Sequence, residues 1–279
     1  MKTSLTLTAY GAALAALVAG TYYLGTAVGP VSGGTPAVAS APAAHTDDGH
    51  GPAAAAAHEP GGLASTRDGY TFVPESTTLG SGTFSFRIDG PAGPVTAFDV
   101  EHDRQLHLIV VRRDGTAFQH LHPEMDAVGT WRVPLTVPAG GVYRAFADFT
   151  PTAGPATTLG VDLFAPGDFQ PVAHAAARTS TVDGFTVTLD GDLTPGAVAP
   201  LTLTVDRGGP VALQPYLGAN GHLVALRDGD LAYLHVHPRS AAGPTVGFDA
   251  EVPGTGTYRL FFDFQVDGVV RTADFTVTA

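Results

Sequence analysis

From Gly69 onward the apolar positions fall in short runs punctuated by turn residues, which predicts β structure. Phe84, Phe86 and Ile88 alternate with Ser85 and Arg87 before Asp89-Gly90-Pro91. That period of two predicts a half-buried strand ending in a turn. Leu108-Ile109-Val110-Val111 runs into Arg113-Asp114-Gly115, and further strands are predicted over 117–122, 131–137, 141–149 and 159–164. The series recurs at 201–205, 222–226, 231–237, 245–252, 257–264 and 274–278. About seven strands in about 100 residues is the scale of an immunoglobulin-like sandwich. The expectation is an all-β fold of two tandem sandwiches.

The recurrence has a fixed offset. His107, His120, His122 and Pro123 reappear as His222, His235, His237 and Pro238, each 115 residues on. The register continues through Tyr143/Tyr258, Arg144/Arg259, Asp148/Asp263 and Phe149/Phe264, and reaches back to Asp68-Gly69-Tyr70 and Asp183-Gly184-Phe185. Gly141-Val142-Tyr143 and Gly256-Thr257-Tyr258 predict tyrosine corners. Ala145 and Leu260 stand where antibody domains carry the second cysteine. Trp131, matched by Val246, is expected in the core. Glu101, His102 and Asp103 occur only in the first copy, set against Gly218-Ala219-Asn220 in the second.

Upstream, residues 3–29 carry no charge and end at Pro30. Their length fits a single membrane span, with Lys2 favouring a cytoplasmic N-terminus and an exported remainder. A cleaved signal peptide is the alternative. The expected organisation is a signal anchor over 1–29, a disordered Ala/Gly/Pro/His linker over 30–65 and sandwiches at 66–167 and 181–279. A second linker joins the sandwiches over 168–180. The protein would then sit at the cell membrane, single-pass, with its C-terminal domains extracytoplasmic, or be secreted if the leader is removed.

Asp114-Gly115 between apolar strands is a two-residue hairpin signal. Centring the turn there sets Ile109 opposite His120 and His107 opposite His122. Opposed residues, and residues two apart, share a face. Three imidazoles therefore converge at one end of the hairpin. Turns at Asp228-Gly229 or Gly229-Asp230 both leave His222, His235 and His237 on one face. Neutral imidazole is the commonest metal ligand, and the span suits nitrogens about 2.0–2.1 Å from one ion. The triads are candidate metal sites, with Asp148 and Asp263 as a fourth ligand or as the carboxylate that orients a ring. Ligation should weaken below the imidazole pKa, near 6.5. Against this, Ile109, Val111 and Phe118 share the face of the first triad. That points the face into the sandwich core and leaves open a structural hydrogen-bond network.

Composition narrows the chemistry. The chain has 279 residues and no cysteine, which removes thiolate sites and disulfides. With two methionines, a thioether Cu(I) site is removed as well. Imidazole donors leave Cu(II) and Zn(II) in front. A net charge of −12 argues against nucleic-acid partners. No HExxH or GxSxG motif is present, so no enzyme activity is expected. The implied partners are a metal ion, the membrane through the N-terminal helix, and a membrane protein.

The strings H-L-I-V-V-R-R-D-G-T-A-F-Q-H-L-H-P-E and G-H-L-V-A-L-R-D-G-D-L-A-Y-L-H-V-H-P resemble exported actinobacterial proteins with tandem YtkA-like and CopC-like domains. So do P-A-G-G-V-Y-R-A-F-A-D-F and P-G-T-G-T-Y-R-L-F-F-D-F. The resemblance implies an immunoglobulin-like fold and a role in handling copper or another heavy metal outside the membrane.

Overall fold

The computed structural model describes residues 60–279 apart from Pro210 and His235. The expected membrane span and most of the first linker lie outside the described residues. Among those described, no helix is long and apolar enough to cross a membrane.

Each copy is a sandwich of two antiparallel sheets. In the first, the strands Thr66–Arg67, Tyr70–Pro74, Gly82–Gly90, Thr130–Leu135 and Glu124–Met125 form one layer, with Gly93–Pro94 beside the third. Thr157–Ala165, Gly141–Phe149, Leu106–Arg112 and Gln119–Leu121 form the other. The second copy repeats the plan. Thr179–Val182, Phe185–Asp190, Val198–Asp206, Thr245–Glu251 and Val236–Ala242 face Tyr233–Leu234, His222–Arg227, Thr257–Val266 and Val269–Thr278. The immunoglobulin-like expectation therefore holds. Both tyrosine corners form, with Tyr143 Oη donating to Ala139 O at 2.8 Å and Tyr258 Oη to Gly254 O at 2.6 Å. Trp131 is core, 2% exposed.

Within the strand Leu106–Arg112, Leu108–Val111 is apolar without alternation because both of its faces are covered. Leu106, Leu108 and Val110 enter the core of the first sandwich. Ile109 and Val111 point the other way, against Val224, Leu226, Leu231 and Phe261 of the second. A strand buried on both faces loses the polar half of the period-two pattern. The expectation that Ile109, Val111 and Phe118 face their own core is thus corrected: they form a third apolar cluster between the repeats. Phe118 stacks on Phe261 with ring centroids 4.0 Å apart and planes 4° from parallel. Each fully buried Val, Leu, Ile or Phe contributes about 1.5–3 kcal/mol, so this cluster is ample to dock the two sheets.

Two connecting segments are tied into the same unit. Arg144 donates to Gly62 O at 2.6 Å and Leu63 O at 2.7 Å, fixing the entry strap to the first repeat. Gly62 is required there: its φ is +71°, and a Cβ would lie 2.4 Å from the Phe146 ring. Between the sandwiches, Asp114 accepts the Val172 amide at 2.9 Å and pairs with Arg112 at 2.6 Å, while His174 Nε2 donates to Asp114 O at 2.8 Å.

Candidate functional site

The first hairpin forms in the expected register, with Ile109 opposite His120 and Leu108 opposite Leu121. His107, His120 and His122 consequently meet. One ring nitrogen from each lies within 4.8 Å of the others. The ring centroids are 5.3 Å apart for His107–His120, 5.1 Å for His107–His122 and 4.8 Å for His120–His122.

Their partners fix which nitrogens carry protons. Glu101 O faces His107 Nε2 at 3.2 Å, and a carbonyl oxygen only accepts, so that nitrogen holds the hydrogen. Asp263 Oδ2 faces His120 Nδ1 at 2.8 Å and makes the same demand. In neutral rings the remaining nitrogens, His107 Nδ1 and His120 Nε2, are lone pairs, and they face each other across 3.1 Å. Three bonds of about 2.0–2.1 Å around a tetrahedral ion place nitrogens roughly 3.3–3.4 Å apart, so the separation is close to that of two ligands. His122 Nε2 is buried with no hydrogen-bond partner.

Burial, followed by the neighbouring His120, pushes the His107 ring down to about 3. His122 is pushed down to about 3 by burial, then by His120 and His107. Both rings therefore keep their lone pairs in acid. The expected loss of ligation near pH 6.5 is corrected for these two: they accept a competing proton only several units lower.

Asp263 belongs to the second repeat. Its other oxygen accepts from Thr272 Oγ1 at 2.6 Å, which holds the carboxylate in place. The orienting group of the first triad thus arrives from across the repeat interface. Asp148, its counterpart, lies beside His107 in the first sheet and accepts from Thr158 Oγ1 at 2.8 Å.

The second triad develops differently. Its hairpin pairs Ala225 with Leu234 and Leu226 with Tyr233, the register of a Gly229-Asp230 turn. His235 lies outside the described residues. His237 is exposed, on a strand that has left this sheet and pairs with Asp249 of the other layer. His222 turns toward the first triad, its ring 6.0 Å from His120 and 6.4 Å from His107. Burial lowers its pKa as well, and its Nε2 donates to Tyr216 O at 2.8 Å.

His102 is a further imidazole at this end of the molecule, and sequence reasoning placed its repeat partner wrongly. The pairs Glu101–Arg104 and Tyr216–Ala219 each exchange two backbone hydrogen bonds around a two-residue turn. Glu101-His102-Asp103-Arg104 therefore matches Tyr216-Leu217-Gly218-Ala219, and the offset of 115 continues through the turn. The same carbonyl position binds the equivalent ring in both copies, Glu101 O for His107 and Tyr216 O for His222. Continuing the offset backward from His107/His222 would have revealed the match.

Beside the cluster lies a cleft of about 310 Å³, lined by His102, Arg104, His107, Asp148, Tyr233 and His237 among others.

Comparison with known proteins gives a family without an activity. No curated protein matches the chain. Among solved structures, Salmonella alpha-2-macroglobulin reacted with methylamine is 15% identical with a TM-score of 0.27, covering 79% of this chain and 15% of that one. Invasin, a bacterial integrin-binding protein, is 16% identical at a TM-score of 0.23, covering 75% of this chain and 39% of its own. A chimeric titin Z1Z2-Z1Z2 tandem is 16% identical at 0.19, covering 75% and 97%. The two repeats, over residues 65–165 and 180–279, each match the Domain of unknown function DUF8832, and the chain belongs to that family.

Proposed function

We propose that this protein is a non-enzymatic binder of one divalent transition metal ion, Cu(II) or Zn(II), through His107, His120 and His122. The carrying observation is the set of facing lone pairs: His107 Nδ1 and His120 Nε2 at 3.1 Å, with His122 Nε2 buried and unpartnered. Ligand histidines typically donate their other N–H to a carboxylate or a carbonyl. His120 does so to Asp263 and His107 to Glu101 O. Tethered by residues 1–29 outside the cytoplasm, such a site would serve metal handling at the envelope, as the likeness to YtkA-like and CopC-like proteins suggests. A membrane protein that supplies or receives the ion is the implied partner.

The competing arrangement places one proton between His107 Nδ1 and His120 Nε2, with Asp263 balancing the charge. It accounts for the 3.1 Å contact and the 2.8 Å pair, but it leaves His122 Nε2 without a partner. Calorimetric titration of the protein with Cu(II) and with Zn(II), beside His120→Ala and His122→Ala, decides between them. Saturable uptake lost in both variants supports the ion. Absence of uptake by the unaltered protein, with both variants merely less stable, supports the shared proton.

A further inference from the structure

Two histidines outside the triad meet at its rim. His102 and His222 have ring centroids 5.3 Å apart at 84°. That separation falls at the upper end of the 4.8–5.3 Å range within the triad itself. The Nε2 of His222 is committed to Tyr216 O, which leaves its Nδ1 as a lone pair. His102 is exposed, and its ring is also 6.1 Å from that of His107.

The turn that carries His102 differs from its twin in the other repeat. It has φ of 48° at His102 and 61° at Asp103, with no glycine in it. Two consecutive positive φ values define a type I′ turn, which favours Asn-Gly. The second repeat builds the same turn with Gly218 at the second position, and Leu217 at the first is 8% exposed. The first repeat forgoes the glycine and sets an imidazole where its twin buries a leucine. Residues held in sparsely populated backbone regions cluster at functional sites.

We propose that His102 and His222 form a second, weaker position for the same divalent ion, through which the ion enters and leaves the His107/His120/His122 triad. This rests on the metal-binding reading above. Two imidazoles from opposite repeats hold an ion less tightly than three, and their rings stand within 6.4 Å of His107. An ion there passes inward by exchanging one nitrogen at a time, with no proton or electron transferred.

The full-length protein is titrated with Cu(II), and Zn(II) in parallel, and release to a chromophoric chelator is followed by stopped flow. The unaltered protein should take up one tight and one weaker equivalent. His102→Ala and His222→Ala should each lose the weaker equivalent and keep the tight dissociation constant within about twofold. They should slow loading and release together by about tenfold, the sign of a lost path rather than a lost ligand. His102 is exposed, so its variant reports even if His222→Ala fails to fold. Persistence of the weaker equivalent in His102→Ala, or unchanged exchange rates, overturns the proposal. Loss of the tight equivalent in that variant also overturns it, because His102 would then be a ligand of the inner ion. Failure of the unaltered protein to take up either ion would instead sink the metal reading itself.

Discussion

Asp263 and His120 are 143 residues apart in the chain and 2.8 Å apart in space, and this contact decides what the triad can do. The carboxylate holds the proton on Nδ1 and so turns the Nε2 lone pair toward His107. Asp263→Asn keeps an acceptor oxygen but removes the charge. Loss of such an orienting carboxylate typically costs about 10–100-fold in metal affinity, and calorimetry should find that loss with the fold intact. A second expectation concerns acid. His107 and His122 stay neutral in the folded chain down to about 3, while in the unfolded chain they take up protons below about 6.5. Between those values the unfolded state binds more protons, so stability is full above about pH 6.5 and falls as the pH drops toward 3. The slope stays below about 1.4 kcal/mol per pH unit for each ring, since both are partly exposed and solvent screens them. Urea unfolding of the ion-free protein at pH 7, 6, 5 and 4 measures it. A flat profile would mean that the two rings take up protons in the fold as readily as in the unfolded chain.

At the level of elements, the two His-bearing sheets bury their outer faces against each other. Phe261→Ala removes the ring stacked on Phe118, and deleting a buried phenylalanine costs about 3–5 kcal/mol. Chemical denaturation should show that loss, and ion affinity should fall too because Asp263 lies two residues along the same strand. The linker offers a separate test. Asp114 is held well below the usual carboxylate range: burial pushes it up, but hydrogen bonds from Arg112, the Val172 amide and Thr116 outweigh that. Asp114→Ala releases the Val172 amide and should make the stretch 168–177 sensitive to protease within minutes, where the unaltered protein resists. The sequence made part of this readable. Asp114-Gly115 fixed the hairpin register, and the register alone brought His107, His120 and His122 together. The second partner of each sheet was not readable in the same way. The unalternating run Leu108–Val111 announces burial on both faces, yet it has the same pattern whether the outer cover is its own sandwich or a second one. With the cover unassigned, Asp263 could be placed only beside its own His222, where the strand pairing does set it, and not against His120.

For the whole molecule, the consequence is that ion binding reports on both repeats although its three ligands come from one. A ligand that binds only the folded state stabilises it by RT ln(1 + [L]/Kd), about 2.7 kcal/mol at a hundredfold excess over Kd. How far that raises Tm depends on how much of the chain unfolds with the site. If the first sandwich unfolds alone, about 100 residues are involved, and each kcal/mol shifts Tm by about 4–8 °C, some 11–22 °C in all. If the docked sheets bind both sandwiches into one cooperative unit of about 220 residues, the same energy shifts Tm by about 2–4 °C per kcal/mol, some 5–11 °C. The shared cluster of Ile109, Val111, Phe146, Val224, Leu226, Leu231 and Phe261 favours the second case. Differential scanning calorimetry at a hundredfold excess of Cu(II) or Zn(II) over its measured Kd should therefore give one transition displaced by the smaller amount. Phe261→Ala, which loosens the interface, should split that transition and leave the larger ion-dependent shift on the half that holds His107, His120 and His122. A split transition in the unaltered protein would mean that the sheets dock without sharing stability, and that Asp263 reaches His120 across an interface too weak to couple the two repeats.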